Sequence, residues 1–169
     1  MKNWTNNAKA VTKAWLNSGL QDRCITRNLN WGVPVPQQYL EGNKVFYVWF
    51  EAPIGYISIT AAALGEKWRK WWIPEPESNV ELNQFMGKDN ISFHSILAPG
   101  TLESTGQGYV KPHRLSVTEY LMYEGGKFSK SNNIGVFGDD CKKTGIKSDV
   151  WRFFLLLSRP EIYDTEFLW

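Results

Sequence analysis

Apolar positions first recur at helical spacing between Asn6 and Leu20, where Ala8, Val11, Ala14, Trp15 and Leu20 share a face and Gly19 offers a stop. That segment is predicted helical. Arg23 to Arg27 reads as a short strand or loop, and Gly32-Val33-Pro34-Val35-Pro36 cannot continue a helix, because its prolines lack the donor a helix needs. Periodicity vanishes in Lys44 to Phe50 (KVFYVWF), a dense β-branched and aromatic run that predicts a buried strand of a parallel sheet. Ala52-Pro53 and Gly55 stop it, and Ile57 to Leu64 turns helical. Lys67 to Pro76 is a tryptophan-rich surface element ending in a proline-bounded loop. Val80 to Met86 is a second predicted strand, and Phe93 to Leu97 begins a helix that Pro99-Gly100 terminates. Leu115 to Tyr123 is a third extended segment, although Ser116 to Tyr120 also admits a helical reading. Gly125-Gly126 opens a mobile loop through Asn133, and Ser148 to Ser158 forms a final amphipathic helix.

Helical and extended segments thus alternate, which predicts an α/β layer architecture. The succession fits part of a doubly wound, parallel nucleotide-binding fold, whose ligands lie at the carboxyl ends of the strands.

Composition changes this picture little. Hydrophobic residues make up 43% and charged residues 21% of 169, a globular balance with room for one domain and a sizeable core. No apolar run is long enough to span a bilayer, and the stretch Phe153 to Leu157 is bracketed by Arg152 and Arg159, so no membrane partner is expected. No apolar region follows Met1-Lys2-Asn3-Trp4, and no secretory leader is expected. Cys24 and Cys141 stand far apart without a CxxC or a histidine cluster, which points to reduced thiols of a cytoplasmic protein and to no metal site. A net charge of +2 does not demand a nucleic-acid partner. Nine tryptophans are unusual; aromatic core packing is expected to account for most of them, with Trp68, Trp71 and Trp72 forming one helix face.

The densest chemistry is Lys127-Phe128-Ser129-Lys130-Ser131, two ammonium groups and two hydroxyls just after a diglycine. Lysines suit phosphate oxygens, and glycine lets the loop swing. At ~4 Å and an effective dielectric of ~20, one lysine–phosphate contact is worth on the order of 4 kcal/mol before desolvation. A basic surface turn would carry the same residues. Gly87 permits close approach of a ligand at a strand end. Asp89 is an acceptor for ribose hydroxyls or, equally, a helix N-cap. Trp49 is an aromatic wall or a core residue, and His94 a ligand contact or a satisfied histidine at a helix start.

The loop resembles the KMSKS signature of class I aminoacyl-tRNA synthetases, with Phe128 in the Met position. Gly87-Lys88-Asp89-Asn90-Ile91-Ser92-Phe93-His94 resembles the GxDxxxxH element of the same class. Phe46 to Tyr56 (FYVWFEAPIGY) is similar to the methionine-pocket strand of the methionyl-tRNA synthetase family. Arg23 to Pro36 resembles the ITRDLxWGxPVP segment, with Asn28 where Asp is usual, and within Phe46 to Tyr56 Glu51 stands where Asp is usual. KFSKS and Trp151-Arg152-Phe153-Phe154 resemble the eukaryotic cytosolic branch.

The resemblance implies methionine, ATP and tRNA(Met) as partners, and Mg²⁺ arriving with ATP rather than held by the protein. It implies catalytic roles for Lys127, Ser129, Lys130 and Arg27. ATP would meet Gly87, Asp89, Lys130 and the backbone of Leu121. Trp49, Ala52, Pro53, Tyr56, Asn90 and His94 would line the methionine site, Asn90 standing where relatives carry an aliphatic residue. A thioether is polarizable and a weak acceptor, which suits an aromatic pocket with a sparse polar handle. The resemblance further implies the second half of the catalytic domain: a helical tail of an inserted lobe over 1–22, the nucleotide-binding half over 23–139, and the start of a helical stem-contact region over 140–169.

The only histidines are His94 and His113, and neither lies in a HIGH-type motif. Such a piece is expected to be inactive alone and to need the N-terminal half of its enzyme. A sibling synthetase for Ile, Leu or Val remains an alternative, as does a non-catalytic RNA-binding or scaffolding module. Half a doubly wound sheet also predicts an exposed edge and apolar face.

Overall fold

The computed structural model describes residues 1–36, 38 and 42–169 and divides them into two compact units. The first comprises 1–85 and 89–116, the second 86–88 and 117–169.

In the first unit α1 spans Asn6–Asn17, close to the predicted helix, and ends before Gly19, whose φ of 79° no helix accepts. Its buried face is small: Ala8 and Thr12, with the Thr12 hydroxyl donating to Ala8 O at 2.7 Å and meeting Ser95 Oγ at 2.9 Å. β1 (Thr26–Arg27) pairs antiparallel with β2 (Val45–Phe46), Thr26 opposite Phe46 and Arg27 opposite Val45. The expected buried parallel strand over Lys44 to Phe50 is therefore corrected. Only its first part is extended; α2 (Val48–Glu51) follows at once, and Val48 is 61% exposed. An unbroken apolar run fits a strand or a helix, and here Pro53, which opens the next helix without needing a donor, draws the chain into turns.

α3 spans Ile54–Leu64 and ends at Gly65, φ 55°. A tight turn, Gly65–Trp68, leads to α4 (Arg69–Trp72). The tryptophan-rich element is not wholly superficial, since Trp72 is buried and its indole N–H donates to Thr60 Oγ1 at 3.0 Å. Trp72 is nevertheless the only fully buried tryptophan of the nine, against the expectation that core packing covers most. The others keep an edge in solvent and use their faces, as where Arg23 lies 4.3 Å over Trp15 and Arg69 4.8 Å over Trp68.

β3 (Leu82–Gly87) follows, then a single 3₁₀ turn, Lys88–Asn90. The predicted helix widens to a π turn over Phe93–Leu97 and runs on as α5 (Ala98–Glu103). Pro99-Gly100 does not terminate it: Pro99 falls in the first turn after the π widening, where the displaced hydrogen-bond register tolerates a missing donor.

β4 (Pro112–Thr118) pairs with β3, and the division between the units falls within both strands. In the second unit β5 (Leu121–Tyr123) precedes α6 (Gly138–Cys141) and α7 (Ser148–Leu157), and β6 (Thr165–Phe167) returns parallel to β5. Ser116 to Thr118 thus belongs to a strand, and no helix forms over Ser116 to Tyr120. Two parallel strands joined through helices form the βαβ-type element of an α/β fold.

The apolar core among the described residues is modest: Ala8, Val45, Trp72, Ile91, Leu115, Val117 and Phe167. In the second unit Phe167 organises a ring stack, with Trp151 at 6.1 Å, Trp169 at 6.0 Å and Tyr123 at 5.7 Å between centroids. Much apolar surface stays open, notably Phe153, Leu156 and Leu157 on α7 at 68–75% exposure. No described helix is long and apolar enough to cross a membrane, and Cys24 and Cys141 are free thiols.

Candidate active site

The predicted methionine residues lie in the first unit, on α2, α3 and the π-widened helix. His94 is buried and fully engaged. Its Nδ1 lies 2.9 Å from Asn90 O, and a carbonyl only accepts, so Nδ1 carries the proton. In the neutral ring Nε2 is then the acceptor for the Tyr56 hydroxyl at 2.9 Å. Tyr56 and His94, expected to share the site, are brought together. Trp49 stacks on Phe93, centroids 5.8 Å apart and planes 27° from parallel, and meets Tyr47 edge-on at 5.8 Å. Arg27 lies 3.9 Å over that Tyr47 ring and donates to Thr26 O at 3.2 Å, which joins the predicted arginine to the same aromatic group.

Pro53, Tyr56 and His94 line a cavity of about 30 Å³ with Trp72, Gln84 and Pro112. That space fits a water or two rather than a thioether side chain. Ala52 and Asn90 are exposed and do not line it; Asn90 contributes through its carbonyl. Asp89, also in the first unit, sits in the turn before the helix that starts at Ile91.

Gly87, Leu121 and the lysine loop belong to the second unit. A Cβ at Gly87 would meet nothing within 4 Å, so packing does not demand glycine there. Leu121 opens β5 opposite Thr165. The loop after it is two successive hydrogen-bonded turns. Tyr123 and Gly126 exchange both backbone bonds at 2.8 Å around Glu124 (φ 47°) and Gly125 (φ 77°), the geometry of a type I′ turn. The Glu166 carboxylate accepts the Gly125 N–H, and Glu124 accepts the Trp169 N–H at 2.6 Å, which ties the turn to β6 and the residues after it. Ser129 and Ile134 then exchange bonds at 2.9 Å, leaving exposed Lys130 at the tip. Ser129 Oγ lies 3.3 Å from Ser131 Oγ. Phe128, in the variable position of the motif, packs on Tyr123 at 5.1 Å; a Cβ at Gly135 would approach its Cδ1 to 2.3 Å, so only glycine fits over that ring.

Sequence reasoning missed Phe93, although it adjoins His94. It also missed a cluster at Lys88, whose Nζ meets Glu119 Oε2 at 2.6 Å and Asp164 Oδ1 at 2.9 Å. Those hydrogen bonds, Glu119 first, hold the ammonium pKa well above the usual lysine value. Asp164 accepts the Tyr120 N–H at 2.8 Å; this and Lys88 keep its carboxyl below the usual range. Lys88 stands inside Gly87-Lys88-Asp89, but its two partners lie 31 and 76 residues away, and nothing local announces them. Among the described residues no group of acidic, histidine or cysteine side chains could hold a metal.

The fold matches part of a Rossmann-type domain of the class I synthetase kind. A solved Mycobacterium tuberculosis methionyl-tRNA synthetase in complex with methionyl-adenylate superposes with a TM-score of 0.72 at 27% identity, over 98% of this chain and 31% of that one. The family described as tRNA synthetases class I (M) matches residues 1–169, and the chain belongs to it. It is 57% identical to a probable methionine–tRNA ligase of Oryza sativa and 56% identical to a cytoplasmic methionine–tRNA ligase of Arabidopsis thaliana, each over 98% of this chain and 20% of the relative. A Treponema denticola methionine–tRNA ligase is 53% identical over 98% of the chain and 21% of its own length. The chain thus spans about a fifth of the curated relatives it matches.

Proposed function

We propose that this chain is the second half of the catalytic domain of a cytoplasmic methionine–tRNA ligase. In that reading 1–22 is the tail of an inserted lobe, 23–139 the nucleotide-binding half and 140–169 the start of the stem-contact region. The supporting observation is the pairing of an aromatic, internally satisfied pocket with a lysine-tipped turn inside one family-matched chain. Methionine carboxylate attacks the α-phosphorus of ATP, the bond to the β-phosphate breaks, and methionyl-adenylate and pyrophosphate form; methionine then passes to the 3′ end of tRNA(Met).

No protein nucleophile is required, so catalysis is positioning and charge stabilisation. Lys130, with Lys127 and Ser129, meets the phosphates as pyrophosphate charge develops. Gly87 and Asp89 hold the ribose, and the Leu121 backbone faces adenine. Mg²⁺ comes as part of the ATP substrate. Arg27 steadies the aromatic group through Tyr47. Trp49 and Pro53 meet the methionine side chain, while Ala52 stands beside Pro53 and Asn90 supports His94 through its carbonyl. Because His94 already satisfies the Tyr56 hydroxyl, an apolar thioether can lie against that pair without stranding a donor.

The test is amino-acid-dependent ATP–pyrophosphate exchange by the full-length enzyme that carries this segment, since a HIGH-type half must complete the site. Methionine is expected to outrun isoleucine, leucine and valine by at least about tenfold. Faster exchange with a branched amino acid would transfer the assignment to a sibling synthetase, and none with any amino acid would favour a non-catalytic module.

A further inference from the structure

Two ammonium groups address one ring: Lys88 Nζ lies 3.9 Å and Lys127 Nζ 4.6 Å from the centroid of Tyr120. The ring's own position is fixed from the backbone side, because Asp164 Oδ1 accepts the Tyr120 N–H and at the same time holds Lys88 at 2.9 Å. Glu119 holds Lys88 from a second direction at 2.6 Å. With two carboxylates engaged, Lys88 is committed to this cluster, whereas Lys127 presents its charge from the link that follows Gly126. A flexible lysine stem has many rotamers, and an aromatic face selects among them without neutralising the charge.

We propose that Tyr120 is a positioning residue for Lys127: its ring, set in place by the Lys88–Glu119–Asp164 cluster, seats the first ammonium of the lysine loop for its encounter with ATP. This rests on the proposed methionine–tRNA ligase function and adds to it a residue that acts through another side chain rather than on substrate. Such a seat acts on the nucleotide and leaves the methionine pocket untouched.

In the full-length enzyme, Tyr120→Leu is expected to lower kcat/KM for ATP in pyrophosphate exchange by about threefold to fivefold, while KM for methionine stays level. Tyr120→Phe, which keeps the ring, stays within about twofold of the parent. Tyr120→Met, of similar bulk without a π face, reproduces the Leu result and replaces it if Tyr120→Leu impairs folding. In a Lys127→Met background the same loss of the ring costs pyrophosphate exchange nothing further, because no loop ammonium remains to be seated and Lys88 stays held by Glu119 and Asp164. Additive losses in the double variant, or a methionine KM that rises in step with that for ATP, would overturn the proposal and leave the parent function standing. Absence of methionine-dependent exchange in the unsubstituted enzyme would remove the function first and this inference with it.

Discussion

Trp49, Tyr56 and His94 sit on helices and are held by partners of their own: a stacked ring, a phenol–imidazole bond, a backbone carbonyl. Lys130 sits at the tip of a hairpin turn and Lys127 between that turn and the one before it, both exposed and without an ion pair among the described residues. The first region is held by contacts of its own, the construction that the proposed site for an uncharged side chain would use, since selectivity there would come from shape and satisfied polar groups. The second keeps charge in solvent, where it is cheap to hold, as the proposed encounter with a highly charged ligand would require. The contrast underlies the proposed division of labour, binding in the first region and rate in the second. Both can be tested in the full-length enzyme.

The largest expected effect is on the charged region. Lys130→Ala should lower kcat for adenylate formation about 10²- to 10³-fold, the usual cost of removing a donor aimed at developing charge, with methionine KM within about twofold of the parent. A rise in methionine KM instead, with kcat preserved, would merge the two regions into one binding surface. Next comes the aromatic wall. Trp49→Ala should raise methionine KM about tenfold through lost apolar contact while kcat changes little, as measured by methionine titration of pyrophosphate exchange. An unaltered KM would move the pocket away from Trp49.

The residues of both regions stand out in the sequence, but their construction was legible only in part. Lys127, Ser129 and Lys130 announce themselves because three polar groups after a diglycine have no packing rationale. Tyr56 and His94 are 38 residues apart, and their bond was foreseeable only through the family resemblance. The strand over Lys44 to Phe50 misled because apolar density carries no period, and its conversion into α2 depends on Pro53 downstream. Pro99 misled in the opposite sense: the π turn before it absorbs a break that proline normally enforces. β6 passed unnoticed because Thr165–Phe167 is too short for an alternation to register, yet it anchors both Tyr123 and the Glu166 clamp on the turn. The ion cluster at Lys88 lies beyond any local pattern.

That cluster gives the smallest expected effect, and it sharpens the contrast by asking which region feels acid. The Asp164 carboxyl is held below its ordinary value first by the Tyr120 N–H and then by Lys88. Its folded pKa is therefore below the unfolded value of about 3.9, so the stability it contributes is present above about pH 4 and is lost as pH falls through the folded pKa. Lys88 works in the opposite window. With its folded pKa raised, its share is complete below about pH 10 and is lost only as pH rises further, so it does not shape the acid limb. Asp140, lowered by its bond to Lys143, adds a second acid-labile contribution of the same sign. Asp164→Asn retains an acceptor for the Tyr120 N–H and abolishes the titration. Urea midpoints taken from about pH 6 down to about pH 2.5 should thus fall less steeply in the variant below about pH 4, with parallel curves above it, and Asp140 should leave a residual slope. Equal slopes in parent and variant would mean that Asp164 binds its proton as readily folded as unfolded, and the seat beneath Tyr120 would lose its electrostatic footing.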